Sequence, residues 1–438
     1  MSEQKVMNRW LVVVGAVLIQ LCLGAIYAWS VFTPKITMPI DQGGQYGFTA
    51  TQAAWVFSVG LATFAVVMVL AGRMLPKVGP RMLAVMGGIV LGAGYVLGGF
   101  LGKSFAMQIL CIGLLGGAGI GLGYVVPIKV GIGWFPDKKG MVSGLAVAGF
   151  GFGATIWVKL AGDWFGGLLN TTNVFGLPGV QSVFVIYGVA FAVLVLVGSI
   201  WMVNPPAGYR PGGWEPPAPS ATTKATGAVD LTSAEMLRTP QYFMLLFMFI
   251  GSALAGLMVI YCIRLFGIDA LQASGAAENA EKAGVVAGTA MAWYAILNGL
   301  GRIAWGTVSD KIGRKLALFL MCLFQGVIML FFYRMGATAL GFIVGACIIG
   351  FNFGGNFALF PVATADFFGN KNVGSNYGWV FLAYGVAGIA GPQVAGYFKD
   401  AAKGGDVTAW VTPFVVAGVA CLLAAAIGVM LKPPKHAV

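Results

Sequence analysis

Twelve apolar runs, each about as long as a membrane's hydrocarbon core is thick, limit this chain to one class of fold. They fall near residues 10–33, 50–72, 80–101, 105–129, 140–161, 180–203, 240–266, 284–306, 315–337, 339–365, 374–398 and 407–431. A core of about 30 Å takes about 20 mostly apolar residues as a helix, and lipid offers no partner for an unpaired backbone group. Of 438 residues 59% are apolar and 9% charged, with a mean hydropathy of +0.88, whereas soluble domains carry roughly 25% charged residues. The expected fold is an all-α integral membrane protein with twelve transmembrane helices. The first run is long, lacks a small-residue cleavage site and leads into eleven more, so it is expected to remain as the first span.

A net charge of +12 would suggest a nucleic-acid partner in a soluble protein. With an even number of crossings, however, seventeen of the 26 basic residues fall on the face that carries both termini and eight on the opposite face, while the fourteen acids split seven and seven. That is the positive-inside bias, so both termini are expected in the cytoplasm, at the inner or plasma membrane of the cell. Topology accounts for the charge, and no nucleic acid is called for. The six cysteines all lie in apolar runs at wide spacing, so neither a disulfide framework nor a metal site is expected. No cofactor is expected either.

One base is left over. Arg302 lies inside the eighth run, in "LNGLGRIAWGTVSDKIGRK" (297–315), where a guanidinium costs at least about 2.5–3.5 kcal/mol in hydrocarbon and is a site candidate by default. Its other reading is a side chain that snorkels to the interface, one turn before Gly306. Against that reading, no Asp or Glu lies deep in any run, so the missing charge is expected to come from an anionic cargo, and a planar guanidinium matches a carboxylate bidentately. Asn298, four residues earlier, shares its helix face and either orients the guanidinium, assists the carboxylate or packs against a neighbouring helix.

The Pro-, Gly-, Ser- and Thr-rich stretch 204–239 divides six runs from six and reads as a flexible linker. The expected organisation is a six-helix half over 1–203, a cytoplasmic linker over 204–239, and a second six-helix half with a short tail over 240–438. "GRMLPKVGPR" (72–81) and "GTVSDKIGRK" (306–315) recur at an offset of 234, as do Tyr27 and Tyr261, Phe32 and Phe266, and Phe150 and Tyr384. Tyr124 and Phe357, Phe135 and Phe368, and Lys138 and Lys371 recur at 233, a drift that one small indel would explain. The halves therefore read as a pseudo-symmetric repeat.

"GTVSDKIGRK" resembles the G-x-x-x-D-[RK]-x-G-[RK]-[RK] loop of the major facilitator superfamily (MFS). Together, "MNRWLVV" (7–13), "GWFPDKKGMVSG" (133–144), "EMLRTPQYF" (235–243), "NGLGRIAWGTVSDKIGR" (298–314), "NFALFPVATADFFG" (356–369) and "NYGWVFLAYG" (376–385) resemble the oxalate:formate antiporter branch, related to the monocarboxylate transporters. The resemblance implies a substrate-binding role for Arg302 and a conformational latch built from Gly306, Asp310, Gly313 and Arg314. Pro76 stands at the corresponding Asp position of the first half, so the latch should be lopsided. In animal monocarboxylate transporters an Asp precedes the arginine by four residues and is tied to proton coupling; here it is Asn298.

The resemblance also assigns a wall to the site: Tyr27, Tyr124, Phe353, Phe357, Phe381 and Tyr384, with Phe150 beside them. Tyr384 stands where the oxalate exchanger carries a second cationic ligand, a lysine. One fixed positive charge matches a monoanion, and a buried dianion would keep a charge whose Coulomb penalty is on the order of several kcal/mol at an effective dielectric near 20. The function this implies is secondary active transport of a monocarboxylate of the lactate, pyruvate, acetate or formate type by alternating access. It would run as proton symport or anion exchange, with oxalate:formate antiport as the alternative. An uncompensated Arg302 should make occlusion without an anion unfavourable. A carboxylate-sensing receptor is disfavoured by the plain linker, and an enzyme by the absence of paired carboxylates or an intramembrane His. The expected partners are the cargo anion, a proton where symport holds, and the lipid bilayer, around a monomeric carrier. "GLLGGAGIGLG" (113–123) and "AGFGFGA" (148–154) are expected to serve close helix packing rather than nucleotide binding.

Overall fold

The computed structural model describes residues 7–135, 139–206, 209–211, 230–369, 372–401 and 406–432. Most of the linker, the paired lysines Lys138 and Lys371, residues 136–138 of the "GWFPDKKGMVSG" string and the side chain of Asp310 lie outside the described set.

Six spans form the first half: Trp10–Thr37, Ala50–Val78, Pro80–Leu101, Phe105–Gly131, Lys139–Gly162 and Val180–Ser199. The second half repeats them as Pro240–Ala273, Ala280–Ile312, Arg314–Met335, Ala339–Phe368, Val373–Ala401 and Val407–Met430. Among the described residues eleven are long and apolar enough to cross a membrane, and the fifth carries a shorter apolar stretch, Val147–Gly162. An antiparallel pair, Asn173–Val174 with Leu177–Pro178, lies in the loop before the sixth span.

Polar caps, not hydropathy, fix where the helices begin. Asn279 accepts from the Lys282 amide, so the eighth helix starts four residues before its apolar run. Thr49 and Gln52 form a capping box on the second helix, satisfying amide groups that the first turn leaves open.

The repeat is visible in the helix limits. Pro80–Leu101 and Arg314–Met335 lie 234 residues apart, and Gly79 and Gly313 before them share a left-handed φ of 84° and 86°. Only glycine takes that turn without strain. The fourth and tenth helices end at Trp134 and Phe368, again 234 apart. At that offset Tyr124 falls on Ala358, next to Phe357, and Phe135 on Gly369, next to Phe368, so these two pairs are neighbours rather than equivalents and need no indel, while Lys138 and Lys371 lie outside the described residues.

The halves meet where the second helix lies along the eleventh and the fifth along the eighth. Small residues set the approach: a Cβ on Gly396 would come within 3.0 Å of the Thr51 Cα, and one on Gly388 within 2.7 Å of the Leu61 Cβ. The two glycine-rich stretches pack as expected; a Cβ on Gly119 would meet the Leu91 backbone, and one on Gly153 the Leu21 backbone. Within the second half, a Cβ on Gly354 would collide with the carbonyl of Asn298. Gly354→Ala should therefore lower stability by about 1–3 kcal/mol through overpacking. A thermal melt of the purified protein in detergent, and not only a transport assay, checks this.

The linker is less featureless than its composition suggests. At its start Trp134 donates to the Val203 carbonyl at 2.7 Å and its ring meets Tyr209. At its end a one-turn helix, Ser233–Met236, is capped by Thr232 and Glu235. There the Leu231 carbonyl accepts from Asn372 and Asn376 at 3.1 and 3.0 Å. Each end is pinned to its own half.

Candidate functional site

The first helix is interrupted at Gly24–Ala28, where a tighter 3₁₀ turn carries Tyr27. Across the interface the eleventh helix presents Tyr384, and the two buried hydroxyls lie 2.9 Å apart. This hydrogen bond joins the halves at mid-depth. Around it stand the rings of Phe150, Phe353, Phe357, Phe381 and Tyr124, with neighbouring centroids 4.9–6.4 Å apart, mostly edge to face. All six expected wall residues are thus brought together. Such ring pairs contribute about 0.5–1.5 kcal/mol beyond their area.

Arg302 is at the floor of this cage and only 4% exposed, which excludes the snorkelling alternative. Its Nε and Nη2 donate to Asn298 Oδ1 at 3.2 and 2.9 Å, and its Nη1 donates to the Val147 carbonyl of the fifth helix at 3.1 Å. The guanidinium carbon lies 4.1 Å above the centre of the Phe357 ring, and the Tyr124 hydroxyl interacts with the same group. No carboxylate among the described residues pairs with it. Asn298 combines two of its expected roles, because its Nδ2 also donates to the Gly350 carbonyl at 3.4 Å.

One expectation needs revision. Arg302 was expected to be unfavourable to occlude alone, yet neutral acceptors and an aromatic face already satisfy much of its hydrogen bonding. What remains is net charge: none of its partners is an anion.

Sequence reasoning missed Phe64, whose ring contacts Tyr124, Phe150, Phe381 and Tyr384 at 5.1–6.2 Å. An apolar side chain in an apolar helix carries no signal of its own. The 234-residue offset, however, carries Asn298 back onto position 64. Tyr261, the repeat partner of Tyr27, is not part of the cage; its hydroxyl donates to the Ala50 carbonyl at the start of the second helix.

The latch residues divide. Arg314 pairs with Asp366 of the tenth helix at 3.1 Å and also donates to Ser309. Gly313 forms the turn, and the nearest side chain to a Cβ on Gly306 would be Ala358, at 3.7 Å. The opposite face, away from the termini, is sealed by bonds between the halves. The Asp400 carboxylate accepts from the Ala50 and Thr51 amides at 2.7 and 2.8 Å, and Thr155 donates to the Ala292 carbonyl at 3.0 Å. Nearby, Ser58 is fully buried and receives a 3.5 Å bond from Gln393. Asp400→Ala removes a carboxylate from a helix N-terminus that attracts it. A cysteine replacing Ser58 should then react several-fold faster with a membrane-impermeant maleimide; an unchanged rate would mean that Asp400 does not hold this face closed.

Residues 20–392 and 278–438 match the Major Facilitator Superfamily. The chain is 28% identical to an uncharacterized MFS-type transporter of Escherichia coli K12 over 87% of its own length and 86% of that protein's. It is 27% identical to the oxalate:formate antiporter of Oxalobacter formigenes, covering 97% and 92%. It is 25% identical to monocarboxylate transporter 13 of Bos taurus, covering 97% and 89%. Among solved structures, a bacterial homologue of the human lysosomal transporter Spinster superposes with a TM-score of 0.64 at 16% identity, over 97% of this chain and 96% of that one. These matches agree with twelve helices in two repeated halves around a buried central cage: the chain belongs to the major facilitator superfamily, as a secondary transporter and not as an enzyme.

Proposed function

We propose that this transporter carries a small monocarboxylate, of the lactate, pyruvate, acetate or formate type. The observation that carries the reading is a single buried guanidinium in a cage otherwise made of aromatic rings, hydroxyls and one amide. One fixed positive charge balances one carboxylate. The apolar rings of Phe353, Phe357 and Phe381 suit a methyl or short alkyl group, while Tyr27, Tyr124 and Tyr384 offer hydroxyls to a carboxylate oxygen. Relatives named as an oxalate:formate antiporter, an apicoplast pyruvate carrier and monocarboxylate transporters support the substrate class.

The cycle follows from the same contacts. A cargo carboxylate exchanges with the Val147 carbonyl as the partner of Arg302 Nη1 and with Tyr27 as a partner of the Tyr384 hydroxyl. Both displaced bonds join the halves, so cargo loosens one set of cross-half contacts while supplying its own. The halves 1–203 and 240–438 then rock about the site, with Asp310 and Arg314 latching the face that carries the termini. The excess of basic residues on that face supports placing both termini in the cytoplasm, and the reading puts the chain in the cell membrane.

Uptake of labelled lactate, formate and oxalate into proteoliposomes, with and without an imposed pH gradient, tests the reading. Lactate or formate should enter at least ten times faster than oxalate. Acceleration by an inward proton gradient assigns symport, and dependence on internal anion assigns exchange. Preferential oxalate uptake would overturn the monoanion assignment in favour of oxalate:formate antiport.

A further inference from the structure

The central cage uses the one arginine that is buried among the described residues, and a second is partly buried between helices. This second arginine is Arg264, on the seventh helix one turn beyond Tyr261. Its Nε and Nη1 are closed off from solvent and have no hydrogen-bond partner. The guanidinium occupies a slot walled by three glycines: a Cβ on Gly162, Gly284 or Gly288 would come within 2.9, 3.4 and 3.4 Å of its nitrogens. Beside it, Lys159 of the fifth helix bonds Asp163 Oδ2 at 2.7 Å and reaches across to Thr289 of the eighth helix at 2.9 Å. Asp163 Oδ1, like the two guanidinium nitrogens, is closed off and without a partner.

Two cations and one carboxylate leave this cluster with a surplus of one positive charge. Partly buried charge is costly unless paired, and unsatisfied donors aimed into a closed slot call for an acceptor. The cluster lies at the seam of the halves, near the end opposite the termini. Along the eighth helix Gly288 is fourteen residues from Arg302, about 21 Å at 1.5 Å per residue. Any parting of the halves on this face must break the Lys159–Thr289 bond and expose the surplus charge on the route to the cage.

Resting on the monocarboxylate reading above, we propose that Arg264 and Lys159 form a second carboxylate-binding station, occupied by cargo between this face and Arg302. Asp163 holds Lys159 in place and keeps the station at one net positive charge, so that it binds a monoanion weakly enough to release it inward.

Two measurements on the full chain test the station, with acetate as the probe. In proteoliposomes Arg264→Gln should raise the KM for labelled acetate about 10-fold with Vmax within two-fold of native, and Arg264→Lys, which keeps the charge, should recover most of that loss. In detergent, Arg302→Lys should retain a saturable thermal stabilisation by acetate that is absent with chloride and disappears when Arg264→Gln is added. An unchanged KM in Arg264→Gln, a loss confined to Vmax, equal stabilisation by chloride, or stabilisation that survives the double substitution would each overturn the proposal. If the native chain moves none of lactate, formate and acetate, the monocarboxylate reading fails, and the melting experiment still decides whether Arg264 binds a carboxylate.

Discussion

Arg302→Lys should reduce monocarboxylate uptake by about 100-fold or more, although the charge is kept. The guanidinium donates through Nε and Nη2 to one Asn298 oxygen and through Nη1 across the interface to Val147, so its plane is fixed before cargo arrives. An ammonium presents a point charge on a flexible stem and cannot reproduce that fork. A 100-fold loss corresponds to ~2.7 kcal/mol, within reach of a bidentate, charge-assisted interaction that loses its geometry in a desolvated site. The loss should appear in both KM and Vmax, because the same group binds cargo and bridges the halves. Uptake kinetics of the variant check it against the native chain, with a detergent melt to confirm folding. Activity within a few-fold of native would remove Arg302 from the site.

The second large effect concerns cargo charge. Tyr384→Lys would add a second cation next to Phe357 and Phe381, whose ring centroids lie 5.7 and 4.9 Å from that of the present tyrosine. A dianion would then be balanced and a monoanion would leave a surplus. Each mismatch is on the order of several kcal/mol at an effective dielectric near 20. The ratio of Vmax/KM for oxalate over acetate should therefore rise at least 100-fold. Tyr384→Phe is the control: it removes the Tyr27 hydrogen bond without adding charge and should leave the ratio near its native value. A rise in both variants, or in neither, would mean that the count of buried cations does not set selectivity.

The spans were legible because lipid enforces one rule everywhere: a backbone without water must be helical and its side chains apolar. Helix ends were less legible. They depend on single capping residues such as Asn279, which starts the eighth helix four residues before its apolar run. Arg302 was legible because a lone guanidinium in hydrocarbon is expensive. Arg264 and Lys159 were not: both sit near the ends of their apolar runs, where charge is ordinary, and only the packing of the fifth, seventh and eighth helices reveals that they face the seam between halves. Phe64 was hidden for the opposite reason, since nothing in composition separates a cage phenylalanine from a lipid-facing one. What the linker's composition did not show is how its ends are held, because the partners are distant in sequence: two asparagines bond the Leu231 carbonyl, and Trp134 bonds Val203 just before the linker and packs against Tyr209.

The central claim is that cargo is held between the halves by Arg302, and an experimental structure determined at saturating lactate tests it most directly. The account predicts a carboxylate within hydrogen-bond distance of the Arg302 guanidinium, with Nη1 released from the Val147 carbonyl and the Tyr27–Tyr384 contact opened. Lactate bound elsewhere, with Arg302 still donating to Val147, would contradict it.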